Sequence, residues 1–195
     1  MHFTIFKTPI INTLVRWLSI GVLYLIGWRT DTSAKIAPKC VLIGAPHTSN
    51  WDFPIGLMLC FSMNIDVVWM GKDSLFPPVL GHIMRWLGGI PVDRSQPGQM
   101  VQATINAFNR SEKLLVIVPP EGTRGKVTRW KTGFYYMAVG ANVPIGLGYL
   151  DFKNKRGGVA EIFYPSGDIE KDMPEIRAYY KNFVGKNPQQ FDAGE

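Results

Sequence analysis

Between residues 40 and 164 this 195-residue chain alternates short apolar runs with stretches of helical length, and few architectures accept that alternation. The runs fall at 40–45, 66–70, 90–92, 114–118, 143–150 and 159–164. Each is bounded by glycine, proline or polar residues, as buried strands are. Residues 51–63, 77–87, 99–110 and 134–140 have the length of helices, and in 99–110 Val101, Ile105 and Phe108 recur on one side. Pro54 fits a helix over 51–63 only in its first turn. A last helix is expected to begin at Asp172, with Pro174 and Glu175 in its first turn, and to stop at Gly185. The pattern predicts an α/β fold over 31–195, with a central, largely parallel or mixed sheet flanked by helices.

Residues 1–30 form a different unit. Apolar residues dominate 9–28, a stretch almost long enough to cross a bilayer core. Ile11, Leu14, Val15 and Leu18 recur at helical spacing, while Asn12, Arg16 and Ser19 gather on another side. An arginine in the middle of a spanning helix costs several kcal/mol, about 2.5–3.5 on insertion scales. A helix lying among the headgroups avoids that cost, because Lys7, Arg16 and Arg29 then reach lipid phosphates and Trp17 and Trp28 sit at the interface. The expectation is an N-terminal membrane-associating helical segment, monotopic or peripheral on the cytoplasmic face, with a buried core helix of the domain as the plainer alternative.

Composition narrows the function. The 21 basic and 15 acidic side chains give a formal charge of +6, which favours an anionic partner such as phospholipid, nucleotide or an acidic carrier. The basic residues are not grouped with any nucleic-acid reading motif, so nucleic acid is not expected. Cys40 and Cys60 lie in apolar runs without Cys-x-x-Cys spacing and read as reduced core residues.

Of the three histidines, His47 is the one placed for chemistry: it follows a strand and a proline, where α/β proteins put ligand sites. It opens the run His47-Thr48-Ser49-Asn50-Trp51-Asp52. Five helical steps turn the chain about 140°, so His47 and Asp52 meet only if the first lies in the loop and the second in the first helical turn. Asp52 would then fix the imidazole tautomer and leave the other ring nitrogen as a base. The residues also allow a plainer reading, in which Asn50 or Asp52 caps the helix and His47 is a loop residue. A second candidate is the turn after residue 118, Pro119-Pro120-Glu121-Gly122-Thr123-Arg124-Gly125, followed by Lys126, Arg129 and Lys131 and a helix start near Thr132 and Gly133. Such a basic turn running into a helix start suits a phosphate, and equally describes a solvated loop. A third is the loop carrying Asp93 and Arg94.

Taken in order, these blocks resemble the glycerolipid acyltransferases, the family that includes the 1-acyl-glycerol-3-phosphate acyltransferases. The run from His47 to Asp52 is similar to that family's His-x4-Asp (HX4D) block, and the run from Gly89 to Arg94 to its second. Pro120-Glu121-Gly122-Thr123-Arg124 matches its third, and Val143-Pro144-Ile145 resembles the fourth. The resemblance covers residues 40–150. It implies a transferase of phospholipid biosynthesis that moves a fatty acyl group from acyl-CoA or acyl carrier protein to the hydroxyl of a lysolipid, foremost 1-acyl-glycerol-3-phosphate. His47 would be the general base and Asp52 its orienting partner. Arg94, Glu121, Gly122, Thr123 and Arg124 would shape the acceptor site, with Lys131 as a further basic contact. It implies no metal and no cofactor beyond the thioester donor. An acceptor without a phosphate, such as a lyso-ornithine lipid, and a non-catalytic lipid-binding protein are the competing expectations.

Overall fold

In the computed structural model, which describes residues 3–93, 95 and 97–193, seven strands form one mixed sheet. The strands are β1 (Arg29–Asp31), β2 (Lys39–Ala45), β3 (Val67–Lys72), β4 (Gly89–Val92), β5 (Leu114–Val118), β6 (Ile145–Asp151) and β7 (Arg156–Phe163). Their order across the sheet is β1-β7-β6-β2-β5-β3-β4, and the β6–β7 pairing is antiparallel while the others are parallel. The helices are α1 (Pro9–Leu25), α2 (Asp52–Met63), α3 (Leu80–Trp86), α4 (Pro97–Asn109), α5 (Gly133–Ala141) and α6 (Ile169–Tyr180).

Alternation along β2 explains the two layers. Val41 and Ile43 point to one side, where they pack with Phe108 of α4, Phe134 of α5 and Ile176 of α6. Cys40 and Leu42 point to the other, against Cys60 and Phe61 of α2, Phe6 before α1 and Trp86 of α3. Both cysteines are free and buried, and burial pushes each thiol up to about 12.

Three expectations are corrected. The final helix begins at Ile169, because Asp168 caps it by accepting from the Glu170 and Lys171 amides (3.1 and 3.4 Å). Asp172 lies inside that helix, its carboxylate turned to the Tyr135 hydroxyl (2.7 Å) and the Ser166 amide (2.6 Å). The helix ends at Tyr180, and Gly185 serves a different purpose, described below. Trp28, expected at a membrane interface, is instead buried with Leu23, Ile55 and Leu59, and the residues after it form the edge strand β1, whose Asp31 is satisfied by Ser33 and the Tyr149 hydroxyl (2.7 Å).

α1 packs on α2 with an orientation that periodicity alone does not give. Ser19 and Leu23 are buried, Arg16 is half-buried, and Asn12 donates to the Phe6 carbonyl (3.1 Å). Its apolar side faces outward instead: Leu14, Trp17 and Leu18 are 65–67% exposed. Among the described residues no helix is long and apolar enough to cross a membrane.

Candidate active site

Adjacent parallel strands explain why two distant blocks meet. β2 and β5 run side by side in register, with Ile43 opposite Val118, so the loops that follow them leave the sheet at the same edge. The first loop carries His47 and the second Glu121.

His47 lies in that loop and Asp52 is the first residue of α2. Their side chains meet, His47 Nδ1 lying 3.1 Å from Asp52 Oδ2. Asp52 is buried and also accepts from the Thr48 amide (2.7 Å), the Ser49 amide (2.8 Å) and the Ser49 hydroxyl (3.0 Å). A carboxylate so supplied with donors at the start of a helix is held as an acceptor. Such an acceptor beside Nδ1 suits the imidazole tautomer that donates a hydrogen bond from Nδ1–H, the one that keeps a lone pair on Nε2. The His47 side chain as a whole remains a quarter exposed.

Glu121 is 3% exposed, and its Oε1 accepts the His47 backbone N–H at 2.8 Å. Among the described residues its Oε2 is buried without a hydrogen-bond partner. Burial pushes its carboxyl up to about 7, against the lowering effect of the donors around it, the His47 amide among them. Glu121 thus joins the two loops directly. Gly122 follows at φ +68, a conformation that favours glycine, and the Lys131 stem lies against it, 3.2 Å from where a Cβ would stand. Thr123, Arg124 and Lys131 are exposed. Arg94 lies outside the described residues.

A cavity of about 710 Å³ runs between these loops and the α2 side of the sheet, within the range of ligand pockets, about 300–1,000 Å³. His47, Asp52, Gly122, Thr123 and Arg124 line its polar part. Leu57, Cys60, Met63, Val67 and Trp69 line its apolar part. Gly44 and Gly56 also border it, and a Cβ at either would meet nothing within 4 Å. Lys131 is not among the lining residues, so the described structure brings five of the expected site residues and Glu121 together and sets Lys131 just behind Gly122. Among the described residues no group of three or more His, Cys, Asp or Glu could hold a metal ion.

A family model described as acyltransferase matches residues 30–146, the segment that carries both loops. The chain belongs to this acyltransferase family. Over 79 residues it is 32% identical to the 1-acyl-sn-glycerol-3-phosphate acyltransferases of Limnanthes alba and Limnanthes douglasii, matches that cover 38% of this chain. They span 28% of each relative, well under a third of its length. Among solved structures, the 1-acyl-sn-glycerophosphate (LPA) acyltransferase PlsC from Thermotoga maritima superposes with a TM-score of 0.58 at 16% identity. That superposition covers 90% of this chain and 82% of PlsC, and it shows a shared fold.

Within this family member, Ser49 and the apolar cavity wall are parts of the site that sequence reasoning did not single out. Ser49 lies between the two motif residues and could have been read as a helix-start side chain. The wall is scattered over α2 and β3, and no spacing announces it.

Proposed function

We propose that this acyltransferase moves a fatty acyl group from acyl-CoA or acyl carrier protein to the free hydroxyl of 1-acyl-glycerol-3-phosphate at a membrane surface. The observation that carries the reading is the His47–Asp52 pair in the lining of a mostly apolar cavity. His47 Nε2 takes the proton of the acceptor hydroxyl as its oxygen forms a bond to the thioester carbonyl carbon. The tetrahedral intermediate then expels the thiolate, which receives that proton from the imidazolium. Asp52 keeps the ring in the working tautomer and stabilises its charged form. A thioester is already activated, so general-base help of about 10²–10⁴-fold and the positioning of two substrates supply the catalysis.

The apolar cavity suits the acyl chain of the donor, and the exposed Arg124 with Lys131 nearby suits the acceptor phosphate. Arg94 belongs to the same proposal through its motif. The outward apolar side of α1 supports a monotopic or peripheral mode of membrane binding, because exposing Leu14, Trp17 and Leu18 while turning Asn12 and Ser19 inward is unfavourable in water. Lysolipid and thioester both partition to such a surface.

The test is a panel. Acyl-CoA or acyl carrier protein is supplied with 1-acyl-glycerol-3-phosphate, a lyso-ornithine lipid and neutral lysolipids in mixed micelles, and products are read by mass. Phosphatidate as the dominant product supports the proposal. Acylation of the ornithine lipid alone moves the acceptor, and no product with any acceptor favours lipid binding without turnover.

A further inference from the structure

The C-terminal segment beyond α6 does not trail away from the domain but crosses both loops of the site. Its upstream end is fixed where the Phe152 amide donates to the Val184 carbonyl (2.8 Å). Gly185 then presses against the first loop: a Cβ there would stand 2.7 Å from Thr48 Oγ1 and 3.0 Å from Pro46 Cβ, so only glycine permits this approach. The Asn187 amide donates to Thr48 Oγ1 (3.2 Å), and Asn187 Nδ2 donates to the Thr48 carbonyl (2.8 Å). With its amide nitrogen turned toward these acceptors, Gln190 donates to the Thr48 carbonyl (2.7 Å) and to the Arg124 carbonyl (3.0 Å). Downstream, Trp130 Nε1 donates to the Asp192 carbonyl (3.2 Å), and Lys126 pairs with Asp192 (3.5 Å).

Thr48 is the residue on which these contacts converge. It is 1% exposed, it directly follows His47, and its own amide donates to Asp52. A displacement of Thr48 therefore disturbs both the residue next to His47 and one donor to the acceptor that holds the imidazole. Gln190 bridges Thr48 to Arg124, so one side chain ties the base loop to the loop expected to hold the acceptor. Lys186 adds a third point, its Nζ 5.3 Å from the centre of the Trp51 ring at the head of α2.

We propose that residues 184–192 act as a strap that fixes the His47 loop against the Glu121–Arg124 turn, with Asn187 and Gln190 as positioning residues for the transfer step. Neither touches the reacting atoms. They act through Thr48 and the Arg124 backbone. Misplacing a reacting group by about 1 Å costs on the order of 10²-fold, so the strap sets rate through geometry.

The proposal rests on the acyl-transfer reading only for its kinetic arm. There, Asn187→Ala and Gln190→Ala, assayed in the full chain with acyl-CoA and lysophosphatidate, each lower kcat about 10–100-fold with the donor KM within about twofold. In the second arm, hydrogen exchange of the folded protein speeds up at least about tenfold in 46–52 while β5 keeps its protection. That arm needs no turnover, so it decides the strap even if the wild type proves inactive toward every acceptor. Unchanged exchange in 46–52 for Gln190→Ala, or wild-type kcat in both variants, overturns the proposal. Loss of protection spread evenly over 46–52 and β5 also overturns it, since that marks a contribution to stability alone.

Discussion

Asp52 accepts from the His47 ring, the Thr48 and Ser49 amides and the Ser49 hydroxyl, and these partners decide what each substitution there removes. Asp52→Ala leaves buried amides unpaired, at about 1–3 kcal/mol each, and so confounds stability with catalysis. Asp52→Asn keeps an acceptor oxygen and removes the charge. It is expected to lower kcat by about 10²-fold or more in a protein that unfolds within a few degrees of wild type, measured by steady-state kinetics beside a thermal melt. Glu121 gives a separate test. Its carboxyl, raised by burial to about 7 from 4.5, holds a proton in the folded chain that the unfolded chain releases. Its contribution to stability is therefore fully present at low pH and is lost as pH rises through that window, then levels off. Urea unfolding of wild type and Glu121→Gln should show a wild-type advantage at pH 4.5 that shrinks toward pH 7.5. A pH-independent difference would contradict the burial account. The meeting of His47 and Asp52 was one of two readings the residues allowed, with Pro54 placing the helix start, and only the family resemblance favoured it over a plain helix cap. The burial of Glu121 was not legible, because chain spacing does not tell which side of a turn faces the neighbouring strand's loop.

At the scale of elements, α2 and α1 carry the testable consequences. Gly56 on α2 borders the cavity with open space where a side chain would project. Gly56→Leu should fill part of it. Each excluded methylene forfeits about 0.8 kcal/mol, so losing two shifts kcat/KM against the longest acyl donors by about tenfold while short donors are spared. Competition between long and short acyl-CoA reads this directly, and equal losses for both would place the acyl chain elsewhere. On α1, exposed Leu14 and Trp17 are each expected to contribute about 1.5–3 kcal/mol to membrane binding. Leu14→Glu with Trp17→Glu should abolish co-sedimentation with vesicles containing anionic lipid, and retained sedimentation would refute α1 as the docking element. The two-sided character of α1 was visible in its periodicity. Which side faced the protein was not, because a moment gives a direction along the helix wheel and says nothing of what lies on either side.

Across the whole molecule, strand positions in the sequence were read well because buried runs closed by glycine and proline leave a strong local signal, as in β2 and β5. Sheet order left no such signal. Placing β2 beside β5, with their following loops at one edge, is decided by packing across 70 intervening residues or more. The antiparallel direction of β7, the edge strand β1 and the strap over Thr48 were invisible for the same reason: each depends on a partner far along the chain. The blocks beginning at His47 and Pro120 nevertheless pointed to the right edge of the sheet, because each follows a strand. The central claim is that His47 draws the proton from the acceptor hydroxyl. It is tested most directly by comparing wild type and His47→Ala in acyl transfer from acyl-CoA to lysophosphatidate on vesicles both proteins bind equally. A fall in kcat of about 10²–10⁴-fold with vesicle binding unchanged is the result predicted here, and transfer at the wild-type rate by His47→Ala would contradict it.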